Sequence, residues 1–146
     1  MKKRNVEQHD NIQSYDDIID LTWEYEKILF KEYIGSYQGD LVVIFKDNGK
    51  FGLLVQGYGS CTGCDELIGV VYDYNDGRDV TDQLNDISQR MFDSIVWHDS
   101  LDDLADAALE RNGNYWYSYD YDFRVIIDSF RQWGCQKGIL CDNIEP

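Results

Sequence analysis

The stretch Asp40–Asp65, DLVVIFKDNGKFGLLVQGYGSCTGCD, decides the fold. Two apolar runs, Leu41–Phe45 and Phe51–Val55, flank Asn48-Gly49. A type I′ turn needs positive φ at both central residues, and Asn-Gly supplies it at little steric cost. The spacing therefore predicts a hairpin with strands at about 40–46 and 50–57. The first run does not alternate, which places it centrally in a sheet covered on both faces. The second runs into a glycine-rich corner, Gly57–Cys64, that holds the only close cysteine pair of the chain.

Working upstream, Ser14 and Asp17 resemble a capping box with Asp in place of Glu. Ile18, Leu21, Tyr25, Ile28 or Leu29, and Tyr33 then recur at helical spacing up to Gly35, predicting a helix at about 15–34. Its outer face would carry Asp16, Asp20, Glu24, Lys27 and Lys31 as i,i+3 and i,i+4 pairs. Residues 1–13 are polar and are expected to form a flexible arm.

Downstream, Leu67, Ile68, Val70 and Val71 fit either a helical turn or a third strand, and Tyr72–Arg78 reads as a loop from its Asn-Asp-Gly content. Asp79 is placed to cap a helix at about 79–93, with Val80, Leu84, Ile87 and Met91 on its inner face. Ile95–Trp97 is a short strand candidate. Ser100 with Asp103 opens a helix at about 100–111, ended by Asn112-Gly113. Tyr115–Tyr119 is an extended aromatic segment. A last helix at about 121–133 precedes Gly134 and a tail over 135–146. One confident hairpin without strict βαβ alternation indicates a single α+β domain over 14–134. The expected architecture is a mostly antiparallel sheet with helices on one face.

The bulk numbers suit that picture. At 146 residues the chain fits one domain, and 43% apolar with 14% aromatic residues exclude a disordered chain. No segment approaches the ~18–20 apolar residues of a membrane span. Met1-Lys-Lys-Arg4 resembles the start of a signal peptide, but a polar stretch follows where an apolar region would have to be. A cytoplasmic location is expected, and with it cysteines that are thiols or metal ligands rather than structural disulfides.

Cys61-Thr-Gly-Cys64 is the sharpest local feature. It sits where a strand hands over to a helix candidate, and there free backbone N–H groups lower a thiol pKa. A redox role is one reading, although the βαβ order, the facing proline and the aromatic before the first cysteine of a thioredoxin arrangement are missing. Zinc is another: Cys61 and Cys64 chelate naturally, and Cys135 with Cys141 would complete a four-thiolate site. The spacing of that second pair is too wide for a knuckle, and His9 and His98 are spare ligands without a tie to it. The favoured reading makes both cysteines small, partly buried residues of a tight turn.

The corner Gly-Tyr-Gly-Ser-Cys-x-Gly-Cys-Asp-x-Leu after an apolar hairpin, with the later Ile95-Val-Trp-His-Asp-Ser-Leu101, resembles a group of small uncharacterised bacterial and phage proteins. The likeness spans about residues 37–130. It implies a compact α+β domain in a prokaryotic or phage context, and no activity.

Charge is the second feature. The chain carries 28 acids against 13 bases, a net charge of −15, which repels nucleic acid and anionic lipid and favours basic partners. Asp99, Asp102, Asp103, Asp106 and Glu110 fall on or entering one helix face, and Asp79, Asp82, Asp86 and Asp93 form a second row broken by Arg90. Rows of carboxylates about 5–6 Å apart can imitate a phosphate backbone and compete for the basic groove of a nucleic-acid-binding protein. The plain alternative is a solubilising surface.

Other motifs fall away. Asp73–Leu84 fails the EF-hand pattern, because Gly77 and Arg78 occupy the fifth and sixth positions and Leu84 the twelfth. Tyr115–Tyr121 interleaves aromatics with Asp rather than the Arg and Lys of a nucleic-acid platform. His98-Asp99-Ser100 has the letters of a triad, but residues this close rarely assemble one. No Walker, GxGxxG, HExxH or GxSxG sequence is present. The sequence thus indicates a non-enzymatic, phage-encoded inhibitor without a cofactor. Asp79, Asp82, Asp86, Asp99, Asp102, Asp103, Asp106 and Glu110 would mimic nucleic acid and block a host nucleic-acid-binding or defence protein of the restriction or CRISPR type. The alternative is a thiol module using Cys61 and Cys64 for zinc or redox chemistry.

Overall fold

The computed structural model describes residues 1–35, 37–61 and 65–111, together with Gln132. The expected strand at Tyr115–Tyr119, the helix at about 121–133, and Cys64, Cys135 and Cys141 lie outside the described residues. The element order is α1 (Tyr15–Thr22), a 3₁₀ turn (Tyr25–Lys27), β1 (Ile28–Gly35), β2 (Gly39–Asp47), β3 (Lys50–Tyr58), α2 (Glu66–Asn75), α3 (Thr81–Asp93), β4 (Val96–His98) and α4 (Leu101–Arg111). The four strands form one antiparallel sheet in chain order, β1-β2-β3-β4. The class is α+β.

The hairpin is where the sequence placed it. Asn48 (φ 52°) and Gly49 (φ 77°) both take positive φ, and Asp47 pairs with Lys50 across the turn. In β2 every residue from Leu41 to Phe45 is fully buried. Successive side chains of a strand point to opposite faces, so a run with no exposed member must be covered twice. Leu41, Val43 and Phe45, with Leu54 of β3, pack with α1, Trp23, α2 and α3. Val42 and Ile44, with Leu53, pack with Leu101, Leu104 and Ala105 of α4. Helices therefore lie on both faces of the sheet, which corrects the expected one-sided arrangement.

The helix expected at 15–34 also divides. α1 stops at Thr22, where Trp23 turns extended (φ −100°, ψ 170°). Its indole is buried, donates from Nε1 to Ser88 Oγ at 3.0 Å and meets the Phe92 ring edge-on at 5.3 Å. Residues 28–35 instead pair with β2 as an edge strand, with an irregularity between Ile28 and Phe30. A strand buried on both faces needs backbone partners on both edges, because unpaired buried N–H and C=O groups are costly. Ile28–Gly35 meets that need, and its β-branched and aromatic residues suit it. The expected i,i+4 pairs become contacts between elements: Lys31 reaches Asp20 at 2.7 Å, and Lys27 reaches Asp47 at 3.0 Å.

Residues 1–13 pack on the domain rather than apart from it. Val6 and Ile12 are buried, Lys3 bridges Trp23, and the Asn85 side chain pairs with both backbone groups of Val6. Arg4 grips Asp10 with two hydrogen bonds of 2.8 and 2.9 Å. At α1 the Ser14 hydroxyl accepts from Asp17 N, and the Asp17 carboxylate accepts from Gln13 N. The ambiguous segment after the cysteine corner is helical as α2, which takes in Tyr72–Asn75 and shortens the expected loop. Val80 occupies the cap position of α3, while Asp79 accepts from Thr81 N and its hydroxyl. Ser100 Oγ accepts from Asp103 N at 3.1 Å, the bond predicted for α4.

Two tests follow from this packing. A Cβ on Gly52 would lie 2.8 Å from Ile95 and 3.0 Å from the Trp97 ring. Gly52→Ala should therefore cost about 1–3 kcal/mol in urea unfolding, through strain between β3 and β4. Arg4, mainly by its hydrogen bonds, holds the Asp10 carboxyl at about 2, below its ordinary 3.8. A pKa depressed by folding contributes stability that is complete above about pH 4 and lost as pH falls toward 2. Asp10→Asn should accordingly flatten the pH dependence of unfolding between pH 4 and 2, while lowering stability at neutral pH.

Candidate functional site

The acidic rows sit on amphipathic helices. α4 buries Leu101, Leu104 and Ala105 against the sheet and leaves Asp102, Asp103 and Asp106 exposed. Asp99 precedes the helix, 83% exposed, with Lys50 at 3.5 Å; such an exposed pair is weak and salt-screened. Glu110 lies in the last turn of the same helix. Asp102, Asp103 and Asp106 span roughly 6 Å of helix rise, about one charge per 2–3 Å, the same order as the 3.4 Å per charge along one DNA strand.

The second row is arranged differently. Asp79, Asp82, Asp86 and Asp93 are exposed, on or just before α3. Asp79 is engaged with Thr81, and Asp93 accepts from Gln89 at 2.9 Å. Arg90 reaches across to Glu66 of α2 at 2.7 Å and along its own helix to Asp86 at 3.3 Å, neutralising the middle of the row. α3 belongs to the core on one sheet face and α4 to the core on the other. The two rows are therefore separate surfaces and form no continuous strip.

Cys61 is half of a disulfide. The expectation that the cysteines are thiols fails at this residue, and a disulfide sulfur is not the thiolate that zinc binds. Among the described residues no group of three or more His, Cys, Asp or Glu side chains is arranged to hold a metal ion. His9 lies beside Glu7 and Asp10 at the surface, while His98 Nε2 is buried without a hydrogen-bond partner among the described residues. Asp99 faces Lys50, Ser100 caps α4, and among the described residues no hydrogen bond links His98, Asp99 and Ser100 into a relay.

The corner is instead organised by Asp65, a buried carboxylate at the N-cap of α2. It accepts from Leu67 N at 3.0 Å, Gly59 N at 2.9 Å and the Tyr15 hydroxyl at 2.6 Å, and Asp65 N donates to Cys61 O at 3.0 Å. One residue thus ties α1, the end of β3 and α2 together. Burial, and then the hydrogen bond to Asp65, push the Tyr15 hydroxyl well above its ordinary range and keep it a donor. Beside it Tyr33 donates to Asp16, and its ring meets Tyr58 edge-on at 5.3 Å. Tyr15, Tyr33 and Tyr58 line a cavity of about 190 Å³ with Ser14, Gly59 and Asp65. Sequence reasoning missed this cavity. Its tyrosines come from α1, β1 and β3, and no spacing along the chain connects them.

Tyr15→Phe should remove one charge-assisted bond from Asp65 and cost about 1.5–3 kcal/mol in urea unfolding, with the two backbone donors left in place. Set against known proteins, the chain matches no family model, no curated protein and no solved structure.

Proposed function

We propose that this protein acts by binding another protein, and that the exposed carboxylates of α4 are its contact surface for a basic partner. The supporting observation is the density and exposure of Asp102, Asp103 and Asp106 on a helix whose opposite side is locked into the core. Rigid placement matters, because a charge pattern held by a packed helix needs no ordering on contact. The net charge of −15 draws basic proteins from a distance. The class of partner is a nucleic-acid-binding protein whose groove accepts a phosphate strand. The α3 row plays a smaller part, since Arg90 offsets it and it faces away from α4. Inhibition of a host or defence protein, in a bacterial cytoplasm and from a phage, is the biological setting that this chemistry would serve. No helix among the described residues is long and apolar enough to cross a membrane.

A second reading keeps a role for the cysteine corner. The disulfide at Cys61 favours a structural or redox part over a zinc part, because a reduced pair is needed for metal.

The two readings separate experimentally. Fluorescent duplex DNA is bound to the heparin-retained proteins of a bacterial lysate, and its displacement by this protein is followed by anisotropy. The expected result is displacement that weakens steeply between about 50 and 200 mM salt. It should be lost in a variant carrying Asp102→Lys, Asp103→Lys and Asp106→Lys, and kept in Cys61→Ser. Displacement that survives the charge reversal, or none at low salt, would overturn the proposal. Loss with Cys61→Ser in a folded protein would favour the thiol reading.

A further inference from the structure

The tyrosine-lined cavity between α1, β1, β3 and α2 has a definite polarity. Each hydroxyl on its wall is already committed as a donor: Tyr15 to Asp65, Ser14 to Asp16 at 2.7 Å, Tyr33 to Asp16, and Tyr58 to the Ile34 carbonyl at 3.3 Å. The backbone N–H groups of Gly59 and Leu67 are committed to Asp65 as well. An anion entering the cavity would find these groups turned away. What the wall still offers is oxygen lone pairs, aromatic rings and the apolar residues Leu67 and Ile68.

Charge points the same way. Asp65 is more than nine-tenths buried and lies outside ion-pairing distance of any Lys, Arg or His among the described residues. Its three hydrogen bonds and the α2 dipole stabilise the carboxylate without cancelling its charge. Asp16, which accepts the Tyr33 hydroxyl, has among the described residues Lys31 at 3.7 Å, but Lys31 is held by Asp20 at 2.7 Å. Aromatic rings around an uncompensated negative charge are the setting in which a cation is attracted to ring faces. The helix N-termini at Ser14 and Asp65 oppose this with about half a positive charge each. Asp16 and Asp65, with a full charge each, outweigh them.

From this geometry we infer that the cavity is a cage for an organic cation of the ammonium class, the end of a lysine side chain of the basic partner. The inference rests on the protein-binding reading and gives it a specific anchor. Tyr33, Tyr58 and Tyr15 form the walls, and Asp65 the electrostatic floor. The long-range charge of the acidic surfaces attracts the partner, and the cage selects the residue that is inserted.

The test uses the whole protein with tyrosine rings labelled for NMR and assigned through single Tyr→Phe variants. Tetramethylammonium chloride and Nα-acetyl-lysine methylamide are the probes. Sodium chloride at equal ionic strength and neopentyl alcohol, a neutral molecule of similar shape, are the controls. The Tyr15, Tyr33 and Tyr58 signals should shift together and saturate with either cation, and the controls should bind at least tenfold more weakly. Tyr33→Phe should retain affinity within about threefold, because attraction to the ring needs no hydroxyl. Tyr33→Ala, with melting checked alongside, should weaken it about tenfold. Equal binding of the neutral alcohol, shifts that never saturate, or an unchanged affinity in folded Tyr33→Ala would overturn the cage. Should DNA displacement remain sensitive to the α4 reversal while the cage test fails, only the cage is lost. The opposite pattern would remove the α4 surface and leave the cage.

Discussion

The structure depends on one constraint: β2 is buried on both faces, so everything near it is arranged to cover it and to pair its edges. Five consecutive fully buried side chains, Leu41–Phe45, leave no solvated side. Burying each is worth roughly 1.5–3 kcal/mol by transfer, and the strand's N–H and C=O groups must be matched in the same dry interior. The Asn48-Gly49 turn supplies one neighbour at almost no loop cost. The other comes from residues that by periodicity alone would continue a helix. The demand of the central strand outweighs a local helical preference of tenths of a kcal/mol per residue.

The second organising contact is Asp65. A carboxylate is costly to bury, and this one is held by a hydroxyl from α1 and two backbone N–H groups from the start of α2 and the end of β3. Removing any donor leaves charge under-solvated, so the three elements are coupled through it. The same placement puts a negative charge beside three tyrosines. A helix cap and a recognition pocket thereby share one side chain.

Acidity has different consequences in different places. On α3 it is partly cancelled by Arg90, on α4 it faces solvent, and at Asp65 it is buried and hydrogen-bonded. Only the last two carry a functional reading, one for its density along a rigid helix and the other for its aromatic surroundings. The sheet between α3 and α4 prevents their rows from acting as one surface.

Much of the fold was legible along the chain. The hairpin, the central position of β2, the bond from Asp103 N to Ser100, and the extent of α3 and β4 follow from turn chemistry, caps and short-range periodicity, which act within a few residues. The α4 row was legible for the same reason, since helical spacing alone puts Asp102, Asp103 and Asp106 on the side away from Leu101 and Leu104. Other features required distant partners. β1 is a strand only because β2 needs an edge, and Val6 and Ile12 are buried only because α1 and α3 offer a surface. The separation of the acidic rows depends on which sheet face each helix covers. The cavity of Tyr15, Tyr33 and Tyr58 exists because residues 18 and 25 positions apart are brought to one wall beside Asp65, which only Tyr15 contacts by a hydrogen bond. Local chemistry therefore determined the turns, the caps and the buried strand. Tertiary structure decided the pairing, the layers and the pocket, because those are set by contacts that sequence proximity does not encode.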